Sequence, residues 1–176
     1  EKGEPVKAID NDPPHGIQPR RQAFGYDVEY SLDSMHFLKE MMDILGELGW
    51  DLHDVVAEGA YSQFELDFHY TDLLQMADRL VFLKILLKEV AKKHDMFVTF
   101  MPKPTIGDWR SGGHINFSLN DIKKNTNVFK DGDKWSQDAM HAVGGLLEHS
   151  EAITAITCPT VNSYNGLVPT VGGFEG

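Results

Sequence analysis

A length of 176 residues sets one domain as the expectation, and a hydrophobic content of 41% supports a sizeable core, which excludes a disordered chain. Acidic residues outnumber basic ones 27 to 16, and the net charge of −11 argues against a nucleic-acid or anionic-membrane surface, while suiting a cation site and solubility alike. The lone Cys158 excludes an internal disulfide and fits a reducing, cytoplasmic compartment, and the greasiest run, Leu80 to Leu87, is interrupted by Lys84 well short of a membrane span.

No signal peptide opens the chain, and its abrupt start and glycine-rich end read as a piece of something longer. Glu1 to Arg21, rich in proline and charge, reads as an irregular loop. Phe24 to Leu32 is expected to hold a short strand or turn. Asp33 or Ser34 can cap a helix with apolar residues at Phe37, Leu38, Met41, Leu45 and Leu48, ended by Gly49. His53 to Glu58 and Gln63 to Tyr70 read as two strands around Gly59 and Ala60. Thr71 is an N-cap candidate, with Asp72 favourable to the helix dipole. The helix that follows carries Leu73, Ala77, Leu80, Leu83, Leu87, Val90 and Ala91 on one face and ends in Lys92, Lys93 and His94.

Met96 to Met101 is expected as a strand, with Pro102 and Pro104 forcing an extended exit. Thr105 to Gly113 is a loop, His114 to Leu119 a strand, and Asn120 to Asp133 a polar irregular stretch. Trp135 to about Ile156 reads as a helix with Gly144 and Gly145 in its middle, and Cys158 to Pro169 as a proline-bounded loop. Adjacent strand pairs between helices favour α/β or α+β with a mixed or antiparallel sheet over a doubly wound one.

Two stretches carry the chemistry. In one, His114, Asn116 and Ser118 alternate with Ile115, Phe117 and Leu119; in the other, Gln63, Glu65, Asp67 and His69 alternate with Phe64, Leu66 and Phe68. Each strand is therefore apolar on one face and rich in ligand-type groups on the other. Glu58 and Glu65, separated by a turn, can converge on a hard cation such as Mg²⁺, and His114 can complete a site that also suits Mn²⁺. Exposed carboxylates and a hydrogen-bonded histidine fit the same pattern. Lys103 can reach a phosphate or sit on the surface. Gly107, Gly112 and Gly113 form a flexible loop without the Gly-Lys-Ser/Thr ending of a phosphate-binding loop. Trp109 and Arg110 can contact a ligand from a loop tip or merely decorate it. Cys158, beside Pro159, reads as a buried small residue.

Four segments in order, Glu58 to Glu65 (EGAYSQFE), Thr99 to Pro104 (TFMPKP), Ser111 to Leu119 (SGGHINFSL) and Pro159 to Pro169 (PTVNSYNGLVP), resemble the catalytic domain of glutamine synthetase, over roughly Arg21 to Pro169. The Gln-Phe-Glu and Gly49-Trp50 wording is closest to the long-branch bacterial synthetases and the γ-glutamylmethylamide synthetase group. The resemblance implies an α+β fold, a curved and mainly antiparallel sheet flanked by helices, of which residues 1–176 are a fragment lacking the N-terminal β domain and the C-terminal part of the catalytic domain. It implies an ATP-dependent carboxylate–amine ligase that forms glutamine or a γ-glutamylamide from glutamate and ammonia or an amine through a γ-glutamyl phosphate. It implies Mg²⁺ or Mn²⁺ at Glu58, Glu65 and His114, nucleotide contacts at Asn116 and Ser118, and an amino-acid substrate held by the loop of Trp109, Arg110 and Gly112. It also implies a homo-oligomeric ring with shared active sites.

Departures from the family pattern carry their own expectations. Trp109 and Arg110 stand where the family has Asn-Gly, Gly166 stands where it has a carboxylate-gripping arginine, Ser62 stands for glycine, and Asn116 for the commoner histidine. Glycine cannot imitate a bidentate guanidinium, so Arg110 is the candidate to supply the lost charge. The loss at Gly166 also motivates a second expectation, a non-catalytic, ring-forming structural or regulatory relative.

Overall fold

The computed structural model describes residues 25–26, 28–60, 62–105, 108–165 and 167. The expected loop at Glu1 to Arg21 and the positions of Gly107, Gly166 and Pro169 lie outside them. The chain divides into two compact units, Glu1–Ser111 with Glu175–Gly176, and Gly112–Phe174.

Within the stretch expected to hold a strand or turn, Gly25 and Tyr26 form a turn and helix α1, Val28–Asp33, follows. Helix α2, Met35–Glu47, follows almost without a break, so its N-cap Ser34 sits outside the extended region and makes no side-chain cap bond. The helix ends as the sequence predicts. Gly49 adopts φ 67°, Trp50 N–H donates to the Leu45 carbonyl at 2.9 Å and Gly49 N–H to that of Gly46 at 3.0 Å, a Schellman closure. Strands β1, Leu52–Ala57, and β2, Phe64–Phe68, pair antiparallel, with Val56 opposite Glu65 and Ala57 opposite Phe64. A bulge at His53 interrupts the register and returns Leu52 to the core side.

Helix α3, Leu73–Lys93, is capped by Asp72 and not by Thr71: the Asp72 carboxylate accepts from the amides of Leu74, at 3.0 Å, and Gln75. Its core face is Leu83, Leu87, Val90 and Ala91, which meets Phe37, Leu38, Met41 and Leu45 of α2. Leu73, Ala77 and Leu80, expected on that face, are exposed, as is Leu48, because the contact between the helices is confined to the second half of α3. The inner face of the hairpin, Val55, Phe64, Leu66 and Phe68, packs against the same cluster. Glu40 of α2 accepts from Lys93 Nζ at 2.6 Å and pairs with His94 Nε2 at 2.8 Å, fastening the end of α3. Met96 to Met101, expected as a strand, joins no ladder among the described residues. Met96 and Val98 still pack on the core while Phe97 faces outward, so the alternation holds and the hydrogen bonding does not.

The second unit has a different character. His114 to Leu119 has no ladder partner among the described residues, which corrects the expected strand, and Ile115, Phe117 and Leu119 are exposed. The stretch expected to be irregular contains two antiparallel hairpins, β3 (Asn120–Asp121) with β4 (Thr126–Asn127), and β5 (Lys130–Asp131) with β6 (Lys134–Trp135). The expected single helix is two, α4 (Gln137–Glu148) and α5 (Ser150–Thr157), broken at His149 and not at Gly144 or Gly145. Ser136, which caps α4, explains the start: its hydroxyl accepts from Ala139 N–H at 3.1 Å and donates to the Val128 carbonyl at 2.6 Å. A 3-10 turn, Val161–Tyr164, lies within the predicted Cys158 loop, and Cys158 itself is half-buried rather than buried. Helices and short antiparallel ladders make the chain α+β. Among the described residues no helix is long and apolar enough to cross a membrane.

Candidate functional site

Hairpin register builds the site. With Val56 opposite Glu65, the residues Asp54, Val56, Glu58, Gln63, Glu65 and Asp67 share one face, while Val55, Ala57, Phe64, Leu66 and Phe68 share the other. Burial of the second face fixes the first, because a one-residue slip would exchange the two sets. Beyond the last ladder pair, Glu58 N–H donates to the Gln63 carbonyl at 2.9 Å and Gln63 N–H to that of Ala60 at 3.2 Å, which closes the turn. Glu58 Oε2 accepts from Gly59 N–H at 3.2 Å. The Glu65 carboxyl is pushed up to about 7, first by its hydrogen bond with the Glu58 carboxyl, then by partial burial, then by the negative charge of Asp67. The Glu65 carboxyl thus meets that of Glu58 at the mouth of the hairpin, with the Asp67 charge on the same face.

A loop lies against this turn within the same unit. The Trp109 ring packs on Gly59 so closely that a Cβ there would meet Trp109 Cδ2 at 2.9 Å. Gln63 Nε2 donates to the Arg110 carbonyl at 3.0 Å. Lys103, for which phosphate contact or surface exposure was expected, is buried, and its Nζ donates to the Asp108 carbonyl within the loop. Ser111 N–H donates to the Pro102 carbonyl at 2.7 Å and closes the loop base. Gln63 was placed on the ligand-type face from sequence but given no role in holding the loop, and the burial of Lys103 within the loop was not expected. The signal for Gln63 was available, since it stands on the Glu65 face at the mouth of the turn.

Gly112, His114, Asn116 and Ser118 belong to the second unit and are exposed; a Cβ on Gly112 would lie 3.8 Å from His114 Nε2. The structure brings Glu58 and Glu65 together, and among the described residues it gathers no three His, Cys, Asp or Glu side chains as ligands of one ion. An open cleft of about 540 Å³ lined by Leu48, Trp50, Asp72, Leu74, Gln75, Asp78, Arg79 and Phe82 includes none of the residues singled out for chemistry.

An acid pair carried on an antiparallel hairpin in an α+β scaffold presents carboxylate oxygens, the ligand type that hard divalent cations prefer. Residues 1–172 match the glutamine synthetase catalytic domain, and the chain belongs to that family. It is 41% identical over 155 residues to a glutamine synthetase of Pyrococcus abyssi, covering 86% of this chain and 34% of that protein. It is 42% identical over 159 residues to one of Methanosarcina mazei, covering 89% of this chain and 32% of that protein. The chain therefore spans about a third of the length of these relatives. Among solved structures, GmaS with ADP superposes with a TM-score of 0.77 at 33% identity, over 85% of this chain and 36% of that one. A glutamine synthase homologue at 23% identity, with a TM-score of 0.74 over 83% of this chain and 35% of that one, shares the fold.

Proposed function

We propose that the full-length protein is an ATP-dependent ligase joining glutamate to ammonia or a small amine. The observation that carries the reading is the Glu58–Glu65 pair, two carboxyl groups in contact on the face that also carries Asp67, in a chain of this family. The donor set fits Mg²⁺ or Mn²⁺: carboxylate oxygens are hard ligands, and a cation between them would offset the repulsion that raises the Glu65 carboxyl. Glu58 and Glu65 would hold it, with His114 as a further ligand. When bound, divalent cations neutralise charge on the transferring phosphoryl oxygens.

In the reaction, a γ-carboxylate oxygen of glutamate displaces ADP from the γ-phosphorus of ATP. The amine nitrogen then attacks the acyl carbon, the carbon–oxygen bond to phosphate breaks, and the nitrogen releases a proton. Asn116 and Ser118 contact the nucleotide. Trp109, Arg110 and Gly112 hold the amino acid, and the Arg110 guanidinium takes the charge role that Gly166 cannot fill. In the full-length protein the sheet is curved and mainly antiparallel, and subunits form a ring with shared sites. Phosphate release by the full-length protein that requires ATP, glutamate and one of ammonia, methylamine or a polyamine is the expected result, and its absence with every amine would end the proposal. Arg110→Ala should raise the KM for glutamate at least tenfold; an unchanged KM removes Arg110 from the site.

The departure at Gly166 favours a second reading, a non-catalytic ring-forming relative. Stoichiometric ATP binding that depends on Mg²⁺, measured by calorimetry, would decide against its strongest form.

A further inference from the structure

We infer that Gln63 is a positioning residue, setting the Trp109–Arg110 loop against the turn that carries Glu58 and so fixing affinity for the acid substrate rather than for the cation. The inference rests on the ligase reading above through the role given to Arg110. The side chain of Gln63 works at both ends: its Oε1 accepts from Ala60 N–H at 3.0 Å, and its Nε2 donates to the Arg110 carbonyl at 3.0 Å. A backbone donor on one side and a backbone acceptor on the other leave one orientation of the amide, and neither Glu nor Met can reproduce it. The contact joins segments 47 positions apart, so the turn and the loop are tied by a side chain and not by chain proximity.

A second attachment agrees with the first. Trp109 lies on the face of Gly59, next to Glu58, where the space for a Cβ is already filled by the indole. The Gly59 backbone does not occupy the left-handed region, so alanine there acts through the collision alone. Lys103 Nζ on the Asp108 carbonyl and Ser111 N–H on that of Pro102 brace the remaining side of the loop. Arg110 is thereby presented by a backbone held at its own carbonyl and at the preceding side chain. A guanidinium aimed at a carboxylate depends on such placement, since a misplacement of about 1 Å can cost on the order of a hundredfold.

The test uses the full-length protein with Gln63→Ala, Gly59→Ala and the double variant. The expected result for Gln63→Ala is a rise of at least tenfold in KM for the acid, with kcat and the Mn²⁺ dissociation constant each within about twofold, the pattern of lost ground-state binding. Gly59→Ala should give the same split, and the double variant should be no worse than either single change, because both release one loop. A KM within twofold of wild type, or a Mn²⁺ affinity that falls in step with KM, overturns the inference. If the wild-type protein proves inactive with glutamate, the ligase reading fails by itself, and amide hydrogen exchange at residues 108–111 decides for Gln63: exchange at least fivefold faster in Gln63→Ala supports the clamp, and unchanged exchange overturns it.

Discussion

The two units of this chain contain the same kind of sequence signal and treat it differently. In the first, alternation over Phe64–Phe68 becomes a paired strand whose apolar face covers α2 and α3 and whose polar face presents Glu65 beside Glu58. In the second, equally strict alternation over His114 to Leu119 finds no ladder partner among the described residues, and Ile115 is 75% exposed. Alternation says which side each residue will face once a strand is paired. Pairing itself depends on a partner and on a core to cover. The first unit buries eight apolar residues in one cluster, whereas among the described residues of the second Ala139 is the one buried apolar side chain. The site's acid pair is built where the packing is.

The largest effect expected from breaking that contrast comes from the core. Met41 and Leu45 are both fully buried at 0% exposure. Leu45→Ala or Met41→Ala should each cost about 3 kcal/mol in urea unfolding, through lost transfer energy and the cavity left behind. Ile115→Ala or Leu147→Ala in the second unit should change stability by less than about 0.5 kcal/mol. Comparable losses in both units would show that the second has a core of its own.

The acid pair sharpens the comparison next. A Glu65 carboxyl raised to about 7 keeps its proton in the folded chain across a range where the unfolded chain has already released it, from about 4.5 upward. The folded state then binds more protons, so stability falls as pH rises from about 4.5 through 7 and is level above. Glu65→Gln retains a hydrogen-bond donor for Glu58 and removes the repulsion. At pH 8 without divalent cations it should be more stable than wild type by on the order of 1 kcal/mol, once solvent screening of a partly open site is allowed for. At pH 4 the difference should vanish. Mn²⁺ should raise the melting temperature of wild type and leave that of Glu65→Gln nearly unmoved. A variant less stable than wild type at pH 8 would show that the two carboxylates do not repel.

Helix caps give a smaller contrast. Asp72→Ala should cost about 1 kcal/mol, because the carboxylate serves two first-turn amides of α3. Thr71→Ala should cost less, since Thr71 hydrogen-bonds the Gln75 side chain and no backbone amide of the helix. Equal losses would restore Thr71 as the cap.

These one-residue offsets show where sequence stops informing. The α2 face was readable because Phe37, Leu38, Met41 and Leu45 repeat at the helical period and all four are buried. Gly49 was readable because only a left-handed residue ends the helix in that way. The acid pair was readable because strand alternation and the turn length place Glu58 and Glu65 on one face. The hairpins of Asn120–Asp121 and Lys130–Asp131 were not, as two-residue strands are too short for any period to appear. Lys103 escaped because burial of its ammonium group depends on the Asp108 carbonyl, a backbone acceptor that no residue pattern advertises. Gln63 could be placed on the Glu65 face, but its role as a clamp could not, its partners being main-chain groups of Ala60 and Arg110.

The smallest expected effect tests how the first unit is fastened at its edge. Lys93 and His94 hold Glu40 below the usual carboxylate range, chiefly through their hydrogen bonds to it. A lowered acid keeps its charge in the folded chain where the unfolded chain takes up a proton. The contribution is therefore complete above about 4.5 and is lost as pH falls below that value. Glu40→Gln should be slightly less stable than wild type at pH 7 and equal to it at pH 2, and the difference should shrink in 1 M NaCl because the Lys93 ammonium is exposed. A difference that persists at pH 2 would mean that Glu40 acts through packing along α2 rather than through its charge, and the link between the two helices would then rest on the apolar seam alone.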